Sequence, residues 1–76
     1  MPPLPCLSGL EVVHIFEIFG WQVARQRSSH IIMTKEGAIV TLSIPNHKEI
    51  AKGTLRGLIR AAHLTVGQFI KAIEQE

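Results

Sequence analysis

Four histidines and a group of cations carry the chemistry this chain has to offer. Two of the four sit beside Lys and Arg. His30 follows Arg25, Arg27 and the pair Ser28-Ser29, and His47 stands between Pro45-Asn46 and Lys48. A histidine in cationic surroundings suits acid/base work on a phosphodiester. A neutral imidazole takes a proton from a ribose 2′-hydroxyl, and its protonated form gives one to a leaving 5′-oxygen. Neighbouring guanidinium or ammonium groups hold the phosphate and offset its developing charge. Those are the parts a metal-free ribonuclease needs. His30 is the candidate acid/base, with Arg25, Arg27, Lys48 and Lys52 as phosphate contacts. Ser29 and His47 complete the candidate RNA-binding set. The plainer alternative for His30 is a residue on the surface of a strand.

Other chemistries fit less well. No two histidines stand at i, i+4, and one cysteine with no aspartate leaves few further ligands, so neither a metal nor a cofactor is expected. Cys6 lies among prolines, where no scaffold would hold a thiolate nucleophile. There is no glycine-rich phosphate loop. Trp21 and the three phenylalanines fall on apolar stripes, as core residues rather than base-stacking platforms. His14, between Val13 and Ile15, reads as a helix-surface residue, and His63 as one at a helix C-terminus.

The chain has 76 residues, which is one domain's worth, and 46% are hydrophobic, enough for a core. A deep closed cavity is not expected at this size, so a site would be a surface feature. One cysteine excludes an internal disulfide. With no signal-peptide pattern, a reducing cytoplasm is the expectation. No apolar run approaches the roughly 18 residues of a membrane span. The net charge is only +2, but between Arg25 and Arg60 seven cations face two acids, Glu36 and Glu49. That local excess is the footprint of a polyanion partner, although many solvated surfaces are mildly basic.

The elements that must position these groups follow from periodicity and punctuation. Residues 1–7 are rich in proline and predict a flexible arm, leaving 8–76 as the domain. Ser8 and Glu11 make a capping box that opens a helix over about 9–19, and Gly20 suits its left-handed end. Trp21 to Arg27 alternates as a strand with Trp21 and Val23 inward. Ser28-Ser29 makes a tight turn, and His30–Thr34 is a second strand. Its Ile31 and Met33 share one face, which leaves His30 on the open side. Lys35-Glu36-Gly37 is a hairpin loop. Ala38–Ile44 reads as a third strand with Val40, Leu42 and Ile44 on one face. After a loop from Asn46 to Ala51, a second helix runs from about Lys52, with Arg56 and Arg60 sharing its outer face. Thr65 and Gln68 form another capping box and start a third helix. The order α-β-β-β-α-α predicts an α+β two-layer sandwich, a three-stranded antiparallel sheet with helices on one face.

Taken together, Gly20-Trp21, Arg25-Gln26-Arg27, Ser29-His30, Pro45-x-His47, Lys52-Gly53-Thr54-Leu55 and Ala61-Ala62-x-Leu64-Thr65 resemble the HicA/YcfA-like toxins, over about Ser8 to Ile73. The resemblance implies a double-stranded-RNA-binding-domain-like fold. It implies an mRNA interferase toxin of a type II toxin–antitoxin pair, which cleaves mRNA without needing the ribosome. It also implies a HicB-like antitoxin that neutralises the toxin. The catalytic histidine of the family's Gly-Ser-His turn falls on His30, and Pro45 and His47 fall near the same groove. Ser28 stands where the family has glycine. If that position needs a positive φ, serine adopts it at a cost of about 1 kcal/mol. His63 likewise stands where glycine is frequent. Two readings from other classes stand beside the toxin: a non-catalytic RNA-binding module of the same fold, and an interaction subunit that complexes an antitoxin and occupies DNA.

Overall fold

A computed structural model describes residues 4–75. The chain runs α1 (Gly9–Ile18), β1 (Gln22–Arg27), β2 (His30–Thr34), β3 (Leu42–Pro45), α2 (Lys52–Ala61) and α3 (Val66–Glu74). The strands form one antiparallel sheet in the order β1-β2-β3. The architecture is α+β, as the order of sequence patterns predicts, and double-stranded-RNA-binding-domain-like, as the resemblance implies.

Local chemistry accounts for the element boundaries. The Ser8 hydroxyl accepts from the Glu11 backbone N–H while the Glu11 carboxylate accepts from the Ser8 N–H, and Thr65 and Gln68 repeat the arrangement at α3. Both pairs satisfy donors that a helix start leaves free. α1 ends in a left-handed residue, Gly20, with φ 96°, and α2 ends in another, His63, with φ 61°. At each end two backbone bonds close the terminus. Gly20 and Trp21 donate to Glu17 and Phe16, and His63 and Leu64 donate to Arg60 and Ile59.

The core lies between the helices and one sheet face. Val12, Ile15 and Phe16 of α1 meet Ile31 and Met33 of β2, Leu42 and Ile44 of β3, Leu55 and Ile59 of α2, and Phe69 of α3. The Phe16 and Phe69 rings, 5.3 Å apart and tilted, tie α1 to α3. Trp21 is buried, and its indole N–H has no acceptor among the described residues; nothing in the structure explains that orphan donor.

Three expectations are corrected. The flexible arm over 1–7 does not describe Leu4 to Leu7. Leu4 is 1% exposed and Leu7 8%, and the Leu7 carbonyl accepts from Ile50 N–H. Two leucines entering the core outweigh the looseness suggested by the prolines; residues 1–3 lie outside the described residues. Second, β3 begins at Leu42, not Ala38. β2 ends at Thr34, so residues 38–41 have no strand to pair with, and Ile39 and Val40 are 100% and 43% exposed. Third, Val23 faces the helix side but at the sheet's outer edge, where it stays 47% exposed.

Candidate functional site

The site begins at the β1–β2 hairpin. Arg27 pairs directly with His30, across a two-residue turn in which Ser28 takes φ 54°. That left-handed geometry is the one glycine adopts most easily. Residues directly opposite in an antiparallel pair share a face, with Cβ atoms about 4.5–5.5 Å apart. On the other side His30 pairs with Pro45 of β3. His30 is exposed, while the next pair of the ladder, Ile31 with Ile44, is buried. The predicted orientation of His30 therefore holds: Ile31 and Met33 anchor β2 to the core, and His30, Ile32 and Thr34 face outward.

The register of β1 contains an irregularity that the sequence pattern does not reveal. Val23 pairs with Met33 and Arg25 with Ile32, so Ala24 is an extra residue, a β-bulge. Simple alternation puts Arg25 and Arg27 on the face of Val23. The bulge breaks that phase. Val23 stays on the Met33 side, and Arg25 and Arg27 move to the side of Ile32 and His30. Two guanidinium-bearing residues and one imidazole thus line the open face of the hairpin.

The segment after β3 is fixed to the same end of the sheet. Asn46 N–H donates to the Ser29 carbonyl at 2.7 Å, and Gly9 N–H donates to the His47 carbonyl at 2.9 Å. The start of α1 is so close that a Cβ on Gly9 would overlap the Pro45 carbonyl oxygen. Ile50, 3% exposed, then inserts into the core and bonds to Leu7. Ser29, in the β1–β2 turn, and His47 and Lys48, on a loop anchored at both of its ends, therefore sit at the same end of the sheet. Lys52 stands apart. It opens α2, which packs on β3 and α3 rather than on the hairpin.

Among the described residues, no side-chain hydrogen bond or ion pair engages Arg25, Arg27, His30, His47, Lys48 or Lys52. His14 Nδ1 lies 3.5 Å from a Glu17 carboxylate oxygen on the exposed side of α1, where His14 was expected. The site has free donors and no carboxylate beside its imidazole. It can receive an anion at the guanidinium groups and exchange a proton at His30. No three His, Cys, Asp or Glu side chains gather as a metal cluster among the described residues. Ile50, Leu7 and Gly9, which hold the site in place, were missing from the sequence reading. The glycine ahead of Leu10 and the one large apolar residue in the loop 46–51 were the available signals.

Comparison with known proteins gives one finding: the model of a family described as the HicA toxin of bacterial toxin–antitoxin matches residues 9–64. No curated protein and no solved structure matches the chain.

Proposed function

The chain belongs to the HicA toxin family of bacterial toxin–antitoxin systems, and on that premise we propose that it is an endoribonuclease that cleaves mRNA with His30 as general acid/base. The observation that carries this reading is the direct pairing of His30 with Arg27 on an open, cation-lined face. Arg25 and Arg27 hold the scissile phosphate. Neutral His30 accepts the proton of the adjacent ribose 2′-hydroxyl, whose oxygen attacks phosphorus. The bond to the 5′-oxygen breaks as that oxygen takes the proton His30 now carries, which leaves a 2′,3′-cyclic phosphate and returns His30 to its neutral form. No step requires a metal. Ser29, His47, Lys48 and Lys52 contact the RNA on either side, and phosphate contacts of this kind tolerate many sequences.

A toxin of this family implies an antitoxin, and we assign that role to a HicB-like protein. No helix among the described residues is long and apolar enough to cross a membrane, and the proposed place of action is the cytoplasm, where mRNA is found.

Induction of the wild type in a bacterial host arrests growth, and induction of His30→Ala does not. Purified wild type cuts RNA in excess EDTA, and His30→Ala lowers the rate by about 10²–10⁴-fold, the usual contribution of one positioned acid/base group. Equal toxicity of the two proteins, or loss of cutting in EDTA with recovery in Mg²⁺, overturns the mechanism. A wild type that binds RNA but never cuts it is the non-catalytic RNA-binding module.

A further inference from the structure

The charges of this chain are sorted by element. α1 carries Glu11 and Glu17 with no Lys or Arg, and β1 carries Arg25 and Arg27 with no acid. α2 carries Lys52, Arg56 and Arg60, and no Asp or Glu occurs anywhere from Ala51 to Ile73. The three cations of α2 recur at i, i+4 and i+8, and all are exposed. They form a ridge about 12 Å long at 1.5 Å per residue. An exposed helix gains from opposite charges at this spacing and loses from like charges. α2 has the unfavourable arrangement twice over, and no carboxylate pairs with any of the three among the described residues. A surface that served solubility alone would mix the signs.

The ridge also has a shape. Arg56 and Arg60 flank a groove of about 260 Å³ between α2 and the start of α3, whose other walls are Ile59, Leu64 and Val66. A guanidinium is planar. It forks onto phosphate oxygens and stacks on bases, which an ammonium does not. Two arginines over an aliphatic groove can fork onto phosphates while a base rests on the apolar wall, which suits the nucleic-acid strand that the ribonuclease reading supplies. The ridge follows the hairpin site along the chain, although α2 packs on β3 and α3 rather than on the hairpin itself. Pro45 lies opposite His30, and the anchored loop from Asn46 to Ala51, with His47 and Lys48 on it, leads straight into Lys52.

We infer that Lys52, Arg56 and Arg60 form a second phosphate track, which holds the flanking part of a single-stranded RNA whose scissile phosphate lies at His30. The inference rests on the ribonuclease reading and adds Arg56 and Arg60 to it. The substrate is held over a strand's length rather than at one phosphate, and short RNAs are poorer ligands than long ones.

The test measures binding of a labelled single-stranded RNA of mixed sequence, about 16 nucleotides long, to the full chain carrying His30→Ala, which does not cut. Each phosphate contact contributes about −0.7 to the slope of log K against log salt. Arg56→Gln and Arg60→Gln should each flatten the slope by about 0.7, and together by about 1.4. The double change equals a roughly 25-fold smaller gain in affinity between 1 M and 0.1 M salt. Lys71→Gln, on α3 and outside the ridge, should leave the slope in place. Glutamine is close to arginine in helix propensity, and unchanged thermal melts confirm that the variants fold. An unaltered slope in the double variant overturns the track. So does equal flattening by Lys71→Gln, which would reflect net charge alone. Loss of antitoxin affinity with RNA binding intact would hand the ridge to an acidic protein. A wild-type surface that binds no RNA fails earlier, and takes the ribonuclease reading with it.

Discussion

At the scale of single residues, the hairpin turn holds a serine where glycine would be at ease. Ser28 has φ 54°. The left-handed region costs an ordinary L-residue about 1–2 kcal/mol. Glycine escapes that cost, while its greater freedom in the unfolded chain offsets about 0.4–1 kcal/mol of the benefit. Ser28→Gly is therefore expected to stabilise the protein by about 0.5 kcal/mol. At about 4–8 °C per kcal/mol for a domain of this size, the thermal midpoint rises by about 2–4 °C. Arg27 stays opposite His30, so the RNA-cutting rate does not fall. A lower melting temperature would mean that the serine side chain contributes something to the turn beyond its backbone. Gly9 is the converse case. Its φ is ordinary, and the Pro45 carbonyl oxygen leaves no room for a Cβ.

At the scale of elements, the bulge at Ala24 decides which face of β1 is cationic. Two one-residue deletions separate face from fold. Removing Ala24 leaves every pair from Val23–Met33 to Arg27–His30 in register, without the bulge. Removing Gln26 also regularises the hairpin, but it brings Arg25 opposite Ile31, on the helix side. Both variants are expected to fold. The RNA salt slope of the Gln26 deletion should be flatter by about 0.7 than that of the Ala24 deletion, one phosphate contact's worth. Identical slopes would mean that Arg25 makes no phosphate contact. The same comparison shows what a sequence discloses. The helix starts were legible because a capping box is local, and the left-handed Gly20 and Gly37 were legible from turn chemistry, whereas Ser28 and His63 came into view only through a family that has glycine at those places. The outward placement of His30 followed from the apolar residues beside it. The bulge was not legible, because an extra residue is defined by the partner strand and not by its own. Ala38–Thr41 has the alternation of a strand but no partner, so it stays a loop. Leu4, Leu7 and Ile50 were hidden among prolines and polar residues, since local composition does not say which segments meet in space.

At the scale of the molecule, the proposed function makes the exposed hairpin face the surface that an antitoxin would have to cover. A specific interface buries at least about 1,000 Å² in total, so about 500 Å² on each partner. That is about a tenth of this protein's 4954 Å² surface. The patch from Arg25 to Lys48 presents cations and no acid but Glu36, which selects an acidic partner and speeds its encounter. The prediction is competition. Purified antitoxin added to labelled RNA on the His30→Ala protein should displace the RNA. A stable ternary complex would place the antitoxin on a remote surface and overturn occlusion of His30.

The anchoring of the 46–51 loop also has a consequence in time. Its bonds join Gly9 to His47 and Leu7 to Ile50, about forty residues apart along the chain. A ribosome adds about 5–20 residues per second, so several seconds separate the synthesis of the two halves. During that interval the first half of the contact exists without the second. A nascent chain that stops short of Ile50 has no finished hairpin end, however much of β1 and β2 it contains. The groups proposed to bind and cut RNA are therefore held together only after the chain has been made past Ile50.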